Sequence, residues 1–360
     1  MHKPVRILVV GLGHMGVHHA RAYHRNPGCD IVGLMSRNIR DAALPDELAA
    51  YPRFTDFDAA LADLRPDAVS INSWPDTHAD YAIKAMEAGA HVFLEKPIAT
   101  TIEDAERVVA TAVRHKRKLL LGYVLRVHPS WIKFIEIGRS LGKPLVMRLN
   151  LNQQSSEATW TWHRNLLQSI TPLVDVGVHY IDVMCQLTGA RPVSVHGIAA
   201  RLWDEGTRNN YGHLHVTFDD GSVGWFEASW GPMMSETAYF VKDVVGPRGA
   251  VSMVPATAGT GDKSAFAPSA DINRHARIDT IRIHRADVDP GTKAFTSADE
   301  LLVMEDEPDL QQLCDREQAL FLRAIAEDLD LANSMAAAVN SLRVVLAAED
   351  SIAKGQVATL

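Results

Sequence analysis

The stretch VRILVVGLGHMG, residues 5–16, decides the fold of the first half of the chain. An apolar run rich in β-branched residues, Val5–Val10, predicts a buried strand, and a helical pattern follows it. Between the two, Gly11 permits a tight turn, Gly13 lets a phosphate approach the backbone, and Gly16 allows the helix to pack closely on the strand. Because a helix N-terminus favours anions, the stretch predicts a dinucleotide site. The other residues of this turn counted as cofactor-binding candidates are His14 and Met15.

Strand-like and helical segments alternate through the first third of the chain. Continuous apolar runs separated by helices indicate a parallel sheet covered on both faces. We therefore predict an α/β fold that opens with a doubly wound Rossmann domain over residues 1–124. The predicted strands are Val5–Val10, Ile31–Met35, Ala68–Ile71, Val92–Leu94 and Lys118–Tyr123, and the predicted helices are Gly16–Arg25, Phe57–Leu64, Ala79–Ala88 and Ile102–His115.

The remainder, residues 125–360, has a different texture. Segments of alternating polarity separated by turns predict an antiparallel sheet, accompanied by helices. The segment Pro255–Asn273, rich in Ala, Gly, Ser and Thr, is interpreted as a mobile loop, with a substrate lid as the alternative. The predicted strands are Leu145–Gln154, Val193–Ala200, His213–Phe218, Ser222–Ser229 and Thr237–Val245, and the predicted helical segments are Asp175–Leu187 and Leu310–Ala353.

Length and composition restrict the class of protein. A chain of 360 residues suits two domains, and no apolar run reaches the roughly 18 residues of a membrane span. The net charge of −8 argues against an extended nucleic-acid surface, which requires clustered Lys and Arg. The N-terminal residues show no export signal, and three widely separated cysteines suit a reducing compartment. We therefore expect a cytoplasmic protein in which Cys29, Cys185 and Cys314 are packing residues.

The end of the second predicted strand bears on the choice of cofactor. An NAD site usually carries an acidic residue about 20 residues beyond the glycine fingerprint, where it holds the ribose 2′-hydroxyl. This chain has no carboxylate there; Ser36 and Arg37 occupy the position instead. Arg37 can pair with a 2′-phosphate while Ser36 donates a hydrogen bond to it. The pattern favours NADP over NAD, and the alternative is that Arg37 is a solvated surface residue.

A charge pair and a proline follow the predicted strand Val92–Leu94. In a doubly wound sheet, ligands bind outside the carboxyl ends of the strands, so Glu95 and Lys96 should face the cofactor. A lysine in that position can hold or transfer a proton, and Pro97 can provide a rigid turn that orients it. The alternative is a strand end with solvated charges.

A second constellation of polar residues lies in the predicted helix Asp175–Leu187. Asp175, His179 and Asp182 at i, i+4 and i+7 are predicted to share one helix face. Two carboxylates and an imidazole are costly to bury without a role, and a carboxylate can orient His179 as a general base. The rival interpretations are a metal site or a hydrogen-bonded network on the helix surface.

Three further histidines, His14, His18 and His19, fall on the glycine turn and the first helix. A metal site there would compete with the cofactor phosphates, and no third ligand is evident. We predict no metal, and we interpret these histidines as helix-surface or packing residues.

Several motifs occur in the order found in one family, and through them the chain resembles the Gfo/Idh/MocA oxidoreductases. The resemblance runs over residues 5–187 and is weaker in the C-terminal sheet. It implies an N-terminal Rossmann domain, a C-terminal α/β domain with a large, mostly antiparallel open sheet, and a homodimer or homotetramer formed through that sheet. The motifs are Gly11–Gly16, Asp67–Val69, Pro75–His78, Ala88–Gly89, His91–Val92, Glu95–Pro97, and the set Asp175, Gly177, His179 and Asp182.

The resemblance also implies roles for individual residues. Lys96 would contact both nicotinamide and substrate, and the Lys96–Pro97 peptide bond would be cis. Asp175 and His179 would act together, with His179 taking the hydroxyl proton while hydride moves to the nicotinamide. Arg126 matches a segment that opens the second domain and is a substrate-binding candidate. The further candidates for cofactor contact are Asn72, Pro75, His78 and Glu95.

The stretch WTWHR, residues 160–164, departs from the family pattern and bears on the substrate. Aromatic faces pack on sugar rings, so Trp162, His163 and Arg164 suit a carbohydrate or cyclitol, whereas the alternative places the tryptophans in the core. The sequence thus predicts an NAD(P)-dependent oxidoreductase acting on a secondary alcohol or carbonyl of a sugar, cyclitol or related polyol. The competing hypotheses are a non-catalytic NAD(P)-binding regulator and a metal-dependent hydrolase or lyase.

Overall fold

The computed structural model describes residues 3–40, 43–203, 208–234, 241–254, 278, 280–305 and 307–360. The chain divides into two compact units, Met1–Val127 with Leu310–Asn340, and His128–Asp309 with Ser341–Leu360. The functional domains predicted as 1–124 and 125–360 stay a prediction. The predicted loop Pro255–Asn273 lies outside the described residues. Among the described helices, none has the combination of length and hydropathy that a bilayer span requires.

The described elements alternate in the first part of the chain and then become richer in strands. The strands are β1 (Val5–Val10), β2 (Cys29–Met35), β3 (Arg53–Phe54), β4 (Ala68–Ile71), β5 (His91–Leu94), β6 (Leu119–Leu121), β7 (Val146–Gln154), β8 (Pro192–Ala200), β9 (Tyr211–Phe218), β10 (Val223–Gly231), β11 (Lys242–Gly246), β12 (Gly249–Val254), β13 (Thr280–Arg285), β14 (Glu300–Val303) and β15 (Ala358–Thr359). The α-helices are α1 (His14–Arg25), α2 (Phe57–Leu64), α3 (Pro75–Glu87), α4 (Ile102–His115), α5 (Pro129–Ser140), α6 (Glu157–Leu166), α7 (Pro172–Asp175), α8 (Gly177–Thr188), α9 (Leu310–Ala326) and α10 (Ala332–Lys354), and two 3₁₀ turns cover Asp46–Leu48 and Val124–Arg126.

The first unit is built on a parallel sheet with the strand order β3-β2-β1-β4-β5-β6. The chain leaves β1 in one direction for β2 and returns on its other side as β4, so the carboxyl ends of β1 and β4 flank the point where the strand order reverses. Ligands of doubly wound sheets bind at that point. The sheet confirms the predicted Rossmann fold.

The core of the first unit combines the sheet with a helix from near the C-terminus. Ile7 and Val9 of β1 and Phe93 of β5 are fully buried, and Phe321 of α9 packs into the same cluster. The ring centroids of Phe93 and Phe321 lie 6.1 Å apart. Helix α9 therefore belongs structurally with the parallel sheet, although in the sequence it follows β7 to β14 of the second sheet.

The second unit contains the large open sheet predicted for the C-terminal part. Its strand order is β14-β13-β12-β11-β7-β10-β9-β8-β15, and every neighbouring pair is antiparallel except β7 and β10. Helices pack on one face. The Tyr180 ring of α8 stacks on Phe226 of β10 with centroids 4.7 Å apart, and a Cβ at Gly138 of α5 would lie 2.3 Å from Leu187.

Candidate active site

The glycine turn after β1 has the geometry of a phosphate cradle. Gly11 has φ +82°, and a Cβ there would lie 2.5 Å from the backbone of Asn72. A Cβ at Gly16 would lie 1.8 Å from the carbonyl oxygen of Gly11, so α1 packs directly on the turn. At Gly13 a Cβ would meet no atom within 4 Å, and no side chain caps the helix at that residue. The helix N-terminus thus presents an open backbone surface, which fits the pyrophosphate of a dinucleotide.

The segment after β4 is locked to this turn. The side-chain amide of Asn72 donates to the carbonyl oxygens of Val10 (3.3 Å) and Ser70 (3.2 Å), and its backbone N–H donates to Val10 at 2.7 Å. Pro75 is the first residue of α3. The N–H at that position has no acceptor within a helix, so a proline there loses no hydrogen bond. The structure therefore brings the candidates Asn72 and Pro75 to the same end of the sheet as Gly11.

The residues that follow β2 lie at the carboxyl end of that strand, where ribose recognition was predicted. Ser36 is half-buried and Arg37 is exposed, so a hydroxyl and a guanidinium stand at the position that an acidic residue occupies in a usual NAD site. Burial raises the pKa of Tyr81, and the positive charge of Arg37 partly offsets that rise. Tyr81 itself stacks on Phe57 with centroids 4.3 Å apart. Within the described part of the chain, no hydrogen bond or ion pair holds Arg37.

His78 links α3 to the turn that follows β5. The imidazole is buried, with Nδ1 2.7 Å from the carbonyl oxygen of Pro97 and Nε2 3.0 Å from that of Ser73. Burial lowers the pKa of His78, so we assign the single proton to Nδ1, which makes the shorter contact. His78 therefore orients the backbone immediately after Lys96.

The Glu95-Lys96-Pro97 turn is built around a buried carboxylate. The Lys96–Pro97 peptide bond is cis, as the family resemblance implied. Glu95 is only 7% exposed, and its Oε2 accepts the backbone N–H of Lys96 at 3.0 Å. A Cβ at Gly122 would lie 3.0 Å from this oxygen, so a glycine at that position leaves room for the carboxylate. The alternative of solvated charges at the strand end is therefore wrong for Glu95.

Glu95 pairs with His19, which was predicted only as a packing or helix-surface residue. His19 of α1 is fully buried, and its Nε2 lies 2.7 Å from Glu95 Oε1. The other two histidines of this segment lie nearer the surface: His14 is exposed and contacts the edge of the His18 ring at 5.0 Å, and His18 bonds to Gln311 at 2.9 Å. The interpretation as packing and surface residues holds for these two, whereas His19 is part of the Glu95 turn.

In the second unit, Asp175 and His179 occupy two successive helices. Asp175 is the buried last residue of α7, and Val176 (φ −95°, ψ −25°) separates it from α8. The N–H of His179 donates to Val176 at 3.1 Å, one residue closer than in a regular α-helix. The helical segment predicted over Asp175–Leu187 is thus present and is interrupted only at Val176. Thr171 caps the start of α7, where its side chain accepts the Val174 N–H at 3.3 Å.

Asp182 is tied to its own helix. Its buried carboxylate accepts the side-chain amide of Gln186 at 2.9 Å. Among the described residues, potential metal-ligand atoms cluster within 4.8 Å in a different place, at His19, Cys314 and Glu317. The metal hypothesis for the Asp175, His179 and Asp182 set thus finds no support in the geometry of the described residues.

The aromatic stretch on α6 lies on the same face of β10 as α8. The His163 ring is 1% exposed and stacks on Trp230 with centroids 4.5 Å apart and planes 4° apart. Trp162 approaches the same imidazole at 4.8 Å, and Trp160 is buried edge-on against Trp203 at 5.9 Å. Trp160 is thus a core residue, as the alternative to a substrate contact predicted. Of the predicted substrate contacts, Trp162 is half-buried and Arg164 is exposed, whereas His163 lies inside an aromatic stack.

Arg126 lies in the first unit, in the 3₁₀ turn Val124–Arg126. It is half-buried, and its guanidinium carbon is 5.9 Å from the centroid of the Tyr123 ring. This distance is in the range of a cation–π contact.

Family models match both halves of the chain. Residues 5–123 match the Gfo/Idh/MocA model described as an oxidoreductase family with an NAD-binding Rossmann fold. Residues 136–251 match the Gfo/Idh/MocA C-terminal domain. The two matches correspond to the parallel sheet of the first unit and to the central strands of the second.

Curated relatives and solved structures agree with these matches. UDP-N-acetylglucosamine 3-dehydrogenase of Acidithiobacillus ferrooxidans is 33% identical over 228 residues, which cover 62% of this chain and 67% of that enzyme. Inositol 2-dehydrogenase 3 of Saccharopolyspora erythraea is 30% identical over 284 residues, covering 75% of this chain and 79% of the relative. The crystal structure of GenD2 from gentamicin A biosynthesis in complex with NAD has a TM-score of 0.75 at 19% identity, covering 100% of this chain and 97% of that one.

Proposed function

The chain belongs to the Gfo/Idh/MocA oxidoreductase family, and we propose that it transfers hydride between a nicotinamide cofactor and a secondary alcohol or carbonyl of a sugar, cyclitol or related polyol. The observation that carries this proposal is the open backbone at Gly13, at the same sheet end as the rigid turn that bears Lys96. The named relatives are dehydrogenases of an amino sugar nucleotide and of inositol.

The proposed mechanism divides the work among three side chains. A bound nicotinamide supplies the hydride acceptor or donor. We assign to Lys96 the stabilisation of negative charge on the reacting oxygen, because an ammonium group in a partly buried position interacts strongly with an alkoxide. We assign the hydroxyl proton to His179 and the stabilisation of the protonated imidazole to Asp175. Burial of Asp175 supports this assignment, since a buried carboxylate requires a polar or cationic partner.

For the cofactor, the family match supports an NAD-type dinucleotide, and we propose a preference for NADP. The preference is supported by the exposed Arg37 and the half-buried Ser36 directly after β2, where positions 36–38 contain no acidic residue. The preference is tested by titrating the protein with NADPH and NADH and repeating both titrations with Arg37→Ala. We expect the variant to lose affinity for NADPH and to keep its affinity for NADH.

For the substrate contacts, we retain Trp162, Arg164 and Arg126 as candidates, and His163 as a residue that supports Trp162 from within the stack. An aromatic face on a sugar ring and a guanidinium on its hydroxyls suit a polyol. The non-catalytic regulator has no observation in its favour, because the named relatives are enzymes.

For assembly, we propose a homodimer or homotetramer formed through the face of the nine-stranded sheet that is opposite the helices α5 and α8, a face on which none of the described helices packs. Val245, Val146 and Val223 are cross-strand neighbours on β11, β7 and β10, with exposures of 37%, 44% and 41%. An exposed apolar row of this kind favours contact with another protein surface. We place the enzyme in the cytoplasm, which agrees with three free cysteines.

The proposed function is tested by turnover on a panel of inositols, hexoses and nucleotide sugars, with NAD⁺ and NADP⁺ each supplied as oxidant. Formation of reduced nicotinamide is followed by absorbance, and Lys96→Ala serves as the control for background reduction. Turnover of at least one polyol by the wild type and not by the control supports the proposal. The reverse direction is followed as loss of NADH or NADPH with the matching ketones, and tight cofactor binding without turnover in either direction would contradict the proposal.

A further inference from the structure

A chain of buried hydrogen bonds connects α9 to the Lys96 turn through the helix that carries the phosphate cradle. The hydroxyl of Tyr23 bonds to Gln318 Oε1, and Gln318 Nε2 lies 2.7 Å from His19 Nδ1. His19 Nε2 lies 2.7 Å from Glu95 Oε1, and Glu95 Oε2 accepts the Lys96 N–H at 3.0 Å. His19 and Gln318 are fully buried, so solvent does not compete for these bonds.

The donors and acceptors of this chain fix the tautomer of His19. Gln318 uses its oxygen for the Tyr23 hydroxyl, so its amide nitrogen donates to His19 Nδ1. His19 must then carry its proton on Nε2 and donate it to Glu95. Both ring nitrogens are thereby used, which leaves His19 as a hydrogen-bonding residue and not as a ligand for a metal held by Cys314 and Glu317.

Two neighbouring carboxyl groups carry different charges. Burial alone would raise the pKa of Glu95, but hydrogen bonding to His19 is foremost among the interactions that outweigh it, so the pKa is lowered and Glu95 is ionised. Burial, followed by the charge of Glu95, raises the pKa of Glu317 well above its usual range, so Glu317 is protonated. Of these two buried carboxyl groups, only Glu95 therefore carries a negative charge.

We propose that His19 and Glu95 form a positioning pair that fixes the backbone of Lys96 relative to the helix that binds the cofactor phosphates. His19 lies one turn after Gly16 on α1, and Glu95 immediately precedes Lys96, so the pair connects the two functional parts of the first unit through two hydrogen bonds. Displacement of a reacting group by about 1 Å can lower turnover by about 10²-fold. The inference rests on the proposed function, because it assigns a positioning role to residues that do not touch substrate.

Two substitutions at His19 separate the positioning role from a general loss of packing. Glutamine places its amide nitrogen near the position of the imidazole Nε2, so His19→Gln can still donate to Glu95. Asparagine places its amide near Nδ1, so His19→Asn keeps the Gln318 contact and loses Glu95. We expect His19→Asn to lower kcat by tenfold or more with cofactor Kd and Tm close to those of His19→Gln, and we expect His19→Gln to retain most of the wild-type kcat. Equal kcat values in the two variants would overturn the proposal.

A second readout does not depend on turnover. Hydrogen exchange at the Lys96 amide reports directly on its bond to Glu95. We expect faster exchange in His19→Asn than in the wild type, and no change in Glu317→Gln, which replaces a protonated acid by a neutral amide in the same cluster. Unchanged exchange in His19→Asn would refute the positioning pair. If exchange responds as expected and the wild type turns over no substrate, the pair stands and the proposed function fails.

Discussion

At the scale of single residues, the glycine turn separates the requirements of folding from those of cofactor binding. Gly11 and Gly16 are needed by the fold itself, because a Cβ at either would overlap the backbone. Gly13 has a φ of −74° that any residue adopts, and the space beside it is open, so only a ligand requires a glycine there. Alanine at these positions should therefore have different effects.

We expect Gly13→Ala to keep the wild-type Tm and to weaken NAD(P)H binding by tenfold or more, because the methyl group occupies the approach of the pyrophosphate. Gly16→Ala, the matched variant, should lower Tm, since its Cβ would lie 1.8 Å from the Gly11 oxygen. Thermal melts and fluorescence titrations with the reduced cofactor check both. Wild-type affinity in Gly13→Ala would contradict the placement of the phosphates.

The proposed acid–base residues give a second prediction at this scale. Lys96→Ala, His179→Ala and Asp175→Asn should each lower kcat by about 10²-fold or more, the usual consequence of losing an acid–base group. Cofactor Kd should change little in the His179 and Asp175 variants, because both residues belong to the second unit. Steady-state kinetics with matched titrations check this, and near-wild-type kcat in Lys96→Ala and His179→Ala would exclude the mechanism.

At the scale of helices and strands, local sequence determines much of the first unit. The bounds predicted for β1, β4, α2 and α4 match the structure residue for residue. The two helices have clear local signals, since Asp56 and Thr101 cap them with side-chain hydrogen bonds. Such signals act over a few residues, which is the range that sequence patterns describe.

Other features depend on contacts that sequence patterns do not describe. The interruption at Val176, between α7 and α8, has no counterpart in the helical periodicity that begins at Asp175. The Glu95 network was missed because Gln318 is 299 positions from His19, and nothing local indicates that α9 packs beneath the cofactor helix. One signal was present: a glutamate directly after a fully apolar strand requires a buried partner.

A strand of the second unit carries a buried lysine that should make stability depend on pH. Lys242 of β11 lies 5.1 Å from the centroid of the Tyr180 ring of α8, and burial lowers its pKa to about 7. Between that value and the ordinary value of 10.5, the unfolded chain binds a proton that the folded chain does not. The free energy of unfolding should therefore rise with pH across this window, and Lys242 should contribute no slope below it.

The test is urea unfolding of the wild type and of Lys242→Met from neutral pH to the ordinary lysine pKa of 10.5. We expect the wild type to gain more stability than the variant as pH rises, since methionine fills the space without a titrating group. Parallel stability curves for the two proteins would show that Lys242 keeps an ordinary pKa in the fold.

At the scale of the whole molecule, the proposed oligomer depends on the face of the nine-stranded sheet that is opposite α5 and α8. Val223→Lys places a charge in the exposed row shared with Val146 and Val245, and a buried unpaired charge is costly. We expect the variant to have a lower mass by light scattering than the wild type at equal concentration. Val113→Lys, which alters an exposed valine of α4 in the other unit, is the control and should keep the wild-type mass. Unchanged mass in Val223→Lys would place any interface elsewhere.

The central claim is that this protein moves hydride from a carbon-bound hydrogen of a polyol to nicotinamide. The most direct measurement is a single turnover with a substrate found in the panel, deuterated at the reacting carbon, followed by mass spectrometry of the recovered cofactor. We expect deuterium on the reduced nicotinamide in the wild type and little labelled cofactor in Lys96→Ala. Product formation with no deuterium on the nicotinamide would contradict hydride transfer.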